Sequence, residues 1–263
     1  MSQILINHPE IDVSIKTLYN YIDKGVFRDY GIINLSLKER VNRKLFKPRY
    51  KKRKTPVSYI GHTYDDYLQY RLLNQDKVTV EMDTLYNEYQ GPYLQTFIFT
   101  DSRLMFGFLH DKKTGESMVL GINTLETLFG DNLFTHLFGL ILTDRGTEFE
   151  THRLFEYNEK EEKRTNTFYC DPMCAHQKPF VENNHNYVCD IIPNNYDMKV
   201  LNQKKINTMF SHINSTPRIS LGNKSPIELF KFLHPEISDT VLQLLNICKI
   251  HYDEVTLSPS ILK

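Results

Sequence analysis

Three apolar segments of strand length follow one another almost without interruption between residues 77 and 110, and they constrain the fold more than any other feature. They are Lys77–Tyr86 (KVTVEMDTLY), Tyr93–Asp101 (YLQTFIFTD) and Leu104–His110 (LMFGFLH). Each is rich in β-branched or aromatic residues, and only Ser102–Arg103 separates the last two, so adjacent strands joined by short turns are expected. A helical pattern then runs from Gly115 to Gly130, with Met118, Ile122, Leu125 and Leu128 at helical spacing. Leu137–Thr143 is an apolar run short enough for a buried strand, closed by Asp144–Arg145–Gly146, and Thr167–Cys170 reads as another strand. Helices are expected at Tyr64–Leu73, Val181–Ile192 and Met198–Ile213, with Pro226 opening a closing helix and a last one over Thr240–Ile250. Strands, helix, strands, helices: the order predicts an α/β layer architecture in which helices cover a mixed five-stranded sheet.

The N-terminal part has a different character. Ser14 can cap a short helix whose Ile15, Leu18, Tyr19 and Ile22 form one apolar face, with Lys16 and Asn20 outward. That pattern suits the recognition helix of a helix-turn-helix, although only six residues precede Asn7 and leave no complete partner helix. Residues 38–54 then hold ten Lys or Arg against one acid, Glu39. The chain as a whole carries no net charge, so this one segment balances an acidic excess spread over everything else. Phe46 and Tyr50 interleave with the cations, and the segment reads as a polyanion contact, with Lys51, Lys52, Arg53 and Lys54 its densest part. The expected divisions are 1–30 as a partial helix-turn-helix-like segment, 31–62 as a basic linker, 63–235 as the core and 236–263 as a helical tail.

No apolar run approaches the ~18 residues of a membrane span, and the N-terminus lacks the basic and apolar regions of a secretory signal. Four cysteines do not make a disulfide scaffold, so a reducing cytoplasm is expected. Cys170, Cys174, His176, His185 and Cys189 do fall within twenty residues. Their spacing is unlike the common zinc sites, and partly buried thiols are the plainer reading.

Three acids stand in unusual places. Asp83 lies inside an apolar strand, Asp144 ends the run GLILTD, and Glu182 opens a helix in KPFVENNHN. Taken singly, they read as an edge residue, a turn residue and a helix first-turn acid. Taken together, acids at strand ends and a helix start can converge as oxygen ligands for Mg²⁺ or Mn²⁺. Two such ions ~4 Å apart stabilise the attacking and leaving oxygens of an in-line phosphoryl displacement.

The stretches EMDTLYN (81–87), ILTDRGTEF (141–149), NTFYCDPMCAHQKPFVENNHNYV (166–188) and HINSTPRISLGNKSPIELF (212–230), with the N-terminal HPEIDVSIKTLYNYIDKG, resemble the transposases of the insertion sequence 30 family of bacteria. The resemblance runs over nearly the whole chain. It implies a DDE, retroviral-integrase-like catalytic core of RNase H-like fold. It also implies metal-dependent DNA strand cleavage and transfer, with Asp83, Asp144 and Glu182 as the triad. Asp83 would be shared by the two ions, Asp144 and Glu182 serving one each. The implied partner is double-stranded DNA, as element terminal inverted repeats and as target, bound by a homo-oligomer in the bacterial nucleoid. Lys178 and Arg145 are candidate phosphate contacts, and His185 is placed to orient Glu182 or touch DNA. Arg145 stands where the family reads Asn, and Pro179 where it reads Gly after the QK pair. The family also carries a further segment ahead of HPEI. The competing reading is an inactive or truncated copy that only binds DNA.

Overall fold

The computed structural model describes residues 2–32, 59–88 and 90–263. The basic segment 38–54, with Lys51, Lys52, Arg53 and Lys54, lies outside the described residues. The chain divides into two compact units, residues 1–53 with 217–224 and residues 54–216 with 225–263.

In the first unit, helix α1 (Ser2–Asn7) precedes α2 (Ile15–Asp23). The Ser14 side chain accepts from the Thr17 N–H at 3.1 Å, as its cap role requires. Leu18 and Ile22 are the buried residues of α2, whereas Tyr19, expected on the apolar face, is 42% exposed. The buried ridge follows the four-residue step from Leu18 to Ile22, and Tyr19 lies about 100° round the helix from Leu18. Lys16 and Asn20 are exposed.

The second unit has the expected class, an α/β, RNase H-like mixed five-stranded sheet flanked by helices. Its elements are α3 (Tyr64–Leu73), β1 (Val80–Leu85), β2 (Tyr93–Phe99), β3 (Met105–His110), α4 (Gly115–Phe138), β4 (Ile141–Thr143), α5 (His152–Glu156), β5 (Thr167–Tyr169), α6 (Pro179–Ile191), α7 (Gln203–Ser215), α8 (Pro226–Leu233) and α9 (Ser238–Leu244). The strand order is β3-β2-β1-β4-β5. β1, β2 and β3 form an antiparallel meander, whereas β4 and β5 run parallel to β1. Among the described residues, no helix is long and apolar enough to cross a membrane.

Most element boundaries shift by one to three residues from the sequence reading, β1 among them at Val80–Leu85, and three shift further. Helix α4 continues to Phe138, because Phe134, Leu137 and Phe138 extend its buried face beyond a kink at Gly130. Gly130 has φ 69°, a conformation that glycine adopts without steric cost. The expected strand Leu137–Thr143 is therefore only its last part. The expected helix from Met198 begins at Gln203, where the Asn202 side chain caps the Lys205 N–H at 3.0 Å. Helix α9 stops at Leu244, short of Ile250, because Asn246 turns left-handed at φ 52°. Ile247 N–H then closes back on Leu242 O, a Schellman-type ending.

Strand alternation places Val80, Met82 and Thr84 on one face of β1, and Glu81 and Asp83 on the other. Helix α4 covers the first face, where Gln95 donates to the Met118 carbonyl at 3.1 Å and Thr84 reaches the Met118 sulfur. Phe138 centres this layer among Phe97, Phe99, Phe106, Phe129 and Phe134. Helix α6 lies over the second face. Both outer strands have their open edges covered. On β3, Asn214 pairs with both backbone groups of Met105, and Gln203 reaches Gly107 O and Leu109 N. On β5, Tyr169 N–H donates to His62 O, and the His62 ring bonds Thr167 O. Covered edges leave no strand template open to another chain.

Candidate active site

The acids of the central strand and of its parallel neighbour meet at one lysine. Asp83 sits on β1, and Asp144 is the first residue past β4. Lys178 immediately precedes α6. Its Nζ stands 2.9 Å from Asp83 Oδ2 and 3.6 Å from Asp144 Oδ2. The lysine side chain is only 4% exposed, against 17% for Asp83 and 48% for Asp144, so the cluster opens to solvent on the Asp144 side. Burial alone would lower the lysine pKa, but the two carboxylates outweigh it and hold the ammonium above the usual lysine range. Nζ is enclosed, and its short ion pair with Asp83 retains it there.

Each acid has a second tie. Asp83 Oδ1 accepts from its neighbour's Thr84 N–H at 2.8 Å. Asp144 Oδ1 accepts from Gly146 N–H at 2.9 Å, a local Asx-type turn that leaves Oδ2 facing the lysine. Asp144 is thus a turn residue and a member of the cluster at once. A Cβ on Gly146 would come within 2.6 Å of Glu148 Oε2 and 3.0 Å of Asp144 Oδ1, so a side chain here would have to displace the Glu148 carboxylate.

His185 faces Asp83 from α6, its Nδ1 4.0 Å from Asp83 Oδ2 and its Nε2 hydrogen-bonded to Thr96 Oγ1 at 2.9 Å. The Thr96 hydroxyl spends its one proton on the Asp83 carbonyl, so Nε2 is the donor and Nδ1 is left bare toward Asp83. Burial, with the nearby Lys178 charge, pushes the imidazole pKa down against the pull of Asp83. Glu182 is exposed, four residues after Lys178 and three before His185, on the stripe of α6 whose two neighbours reach Asp83. Arg145 is turned aside: its guanidinium pairs with Asp171 at 3.3 Å and lies over the Tyr59 ring.

Two groups of functional weight escaped the sequence reading. Glu81 is buried beneath α6, and its Oε2 accepts from Phe180 N–H at 2.9 Å and Val181 N–H at 2.7 Å. Lys178 offers no side-chain cap and Pro179 has no N–H, so Glu81 serves as the missing N-terminal acceptor of α6. Burial raises its pKa to about 7, against the pull of the two backbone N–H groups. Arg103 stacks on the Phe180 ring from the other side. The signal was present in the alternation of VEMDTL, which sets Glu81 on the same face as Asp83. The second group is the pair Lys113–Glu148 at 3.1 Å, beside Asp144.

Asp83 and Asp144 are hard oxygen donors of the kind divalent cations take, and they face one point. In that respect the donor chemistry fits Mg²⁺ or Mn²⁺, but the point between them is held by the Lys178 ammonium. Among the described residues, no three His, Cys, Asp or Glu side chains stand together as a metal-holding group. In the Cys/His stretch, Cys170 is buried with its thiol pushed up to about 12 by burial, while Cys189 is exposed. Elsewhere, a cleft of about 650 Å³ at the β5 edge is lined by His62, His152, Glu156 and Tyr70, the centres of its two imidazoles 4.0 Å apart and the rings tilted by 31°.

No family model matches the sequence, and no curated protein matches it. Among solved structures, the chain is similar to the catalytic core domain of HTLV-2 integrase in complex with magnesium, at 14% identity over 59% of this chain and 95% of that one, with a TM-score of 0.39. It is also similar to the catalytic core domain of BIV integrase, at 18% identity over 61% of this chain and 97% of that one, with a TM-score of 0.42. At such identities and superpositions the likeness assigns no chemistry to this chain.

Proposed function

We propose that the protein is a polynucleotidyl transferase that cuts and joins DNA strands, acting as the transposase of an insertion sequence similar to the insertion sequence 30 family. The observation that carries this reading is the meeting of Asp83 and Asp144, from neighbouring parallel strands, at the start of the helix that bears Glu182. These three acids would hold Mg²⁺ or Mn²⁺, which when bound supplies charge to an attacking water or 3′-hydroxyl and to the leaving 3′-oxygen. The chain's own work is positioning. Gly146 and Thr84 fix the inner oxygens of the two aspartates, and Glu81 holds the first turn of α6, the helix that bears Glu182, against β1. His185, tied through one ring nitrogen to Thr96, turns the other toward Asp83 at 4.0 Å. DNA would be gathered by the basic segment 38–54, with Lys16 and Asn20 on the outward face of α2 as base or phosphate contacts and Arg145 at the site's rim. A homo-oligomer on paired element ends, in the bacterial cytoplasm, completes the reading.

The test is a nicking assay on DNA carrying the element ends, run beside a gel-shift assay. Wild type should nick in Mg²⁺ or Mn²⁺. Asp83→Asn should lose nicking by about a hundredfold or more while keeping its fold and its DNA affinity, because Asn keeps the shape and removes the charge. Equal nicking by both proteins rejects the assignment. Intact binding without nicking by either identifies a DNA-binding derivative.

A further inference from the structure

We propose that Lys178 is a positioning residue: its ammonium holds Asp83 and Asp144 together until a divalent cation displaces it. The inference rests on the metal-binding role given to the two acids above. Two carboxylates facing one point repel each other unless a cation lies between them. The chain supplies that cation itself, 2.9 Å from one acid and 3.6 Å from the other. The other charged neighbours are committed elsewhere: Lys113 pairs with Glu148, and Arg145 with Asp171. His185 turns one ring nitrogen to Thr96 at 2.9 Å and the other to Asp83 at 4.0 Å, farther from the carboxylate than Lys178.

Displacement is built into the same geometry. A lysine balances one of the two negative charges, so the pair still attracts a divalent ion. Nζ stands against one oxygen of each aspartate, so the place it occupies offers the same two oxygens a divalent ion would take. Its four-carbon stem is flexible, and Asp144, 48% exposed, lies on the open side of the cluster. An ammonium leaving by that side carries its charge toward the surface where a DNA phosphate would arrive. Lys178 then serves first as a stand-in for the metal and afterwards as a phosphate contact.

The experiment compares wild type with Lys178→Met, which keeps the length of the side chain and removes the charge. Mn²⁺ binding to the full chain without DNA is read by electron paramagnetic resonance, and melting is followed in EDTA and in Mn²⁺. Lys178→Met should bind Mn²⁺ at least about tenfold more tightly, melt lower in EDTA, and gain more from Mn²⁺ than wild type does. Equal or weaker Mn²⁺ affinity in a folded Lys178→Met protein overturns the inference and leaves the metal role of Asp83 and Asp144 standing. Binding by neither protein overturns both. A second measurement needs only wild type: acylation of Lys178, read by mass spectrometry, should be slow in EDTA and accelerate several-fold as Mn²⁺ binds. Unchanged protection while Mn²⁺ is bound overturns the displacement.

Discussion

The sheet has two unlike halves. The meander β1-β2-β3 is built of strands six or seven residues long, whereas β4 and β5 have three residues each. The meander is held by aromatic packing, with Phe138 touching five other phenylalanine rings. The β4–β5 half is held by buried polar ties. Arg164 bonds Glu126 at 2.6 Å together with two carbonyls, Glu156 accepts from Thr167 N–H, and Tyr169 OH donates to Phe149 O. The contrast explains where the reactive groups lie. Short parallel strands release the chain quickly into loops beyond their C-terminal ends, where ligand sites of α/β sheets collect. Asp144 and Lys178 both sit on such loops, and the long meander strand β1 supplies the fixed partner, Asp83.

The strongest way to break this contrast is to remove its aromatic centre. Phe138→Ala should cost about 3–5 kcal/mol in urea unfolding, the range for deleting a fully buried phenylalanine. A loss below ~1 kcal/mol would show that the meander half does not carry the stability. Next in size is the link between the halves. Glu81→Ala leaves the Phe180 and Val181 N–H groups without their acceptor and should cost about 2 kcal/mol. Glu81→Gln retains an acceptor oxygen and should cost less. Both variants would be measured by urea unfolding, and equal losses would mean that Glu81 acts by filling space rather than by accepting these bonds.

The legibility of the molecule in its sequence follows the same division. The meander could be read to within about three residues at each strand end, because its β-branched and aromatic runs are bounded by short polar turns. The β4 region could not. The apolar run Leu137–Thr143 is divided between the end of α4 and β4, and periodicity alone cannot separate a buried helix end from a buried strand. Asp83 and Asp144 stood out because a charge amid apolar residues is costly without a partner. That partner, Lys178, was legible only as a basic residue near Glu182. Its burial depends on α6 docking over β1, a contact a hundred residues long in sequence. Glu81 was missed for the same reason: its acceptor role exists only once Pro179 and an uncapped α6 arrive above it.

The smallest expected effect sharpens the comparison by asking which half responds to acid. Asp101, in the turn between β2 and β3, is hydrogen-bonded through Oδ2 to the His234 ring at 2.8 Å and accepts from the Ser102 N–H. Burial opposes its ionised form, yet the His234 and Ser102 contacts prevail and hold its pKa below the usual aspartate value. A carboxylate depressed in the folded protein binds fewer protons there than in the unfolded chain. Its stabilisation is therefore complete above the ordinary aspartate pKa of about 4 and is lost as pH falls through the lower folded value. Asp101→Asn should reduce stability by about 1 kcal/mol at neutral pH and flatten the acid limb of a stability profile measured down to about pH 3. An unchanged acid limb would mean that the tie of Asp101 to His234 and Ser102 contributes nothing to the acid response of the fold.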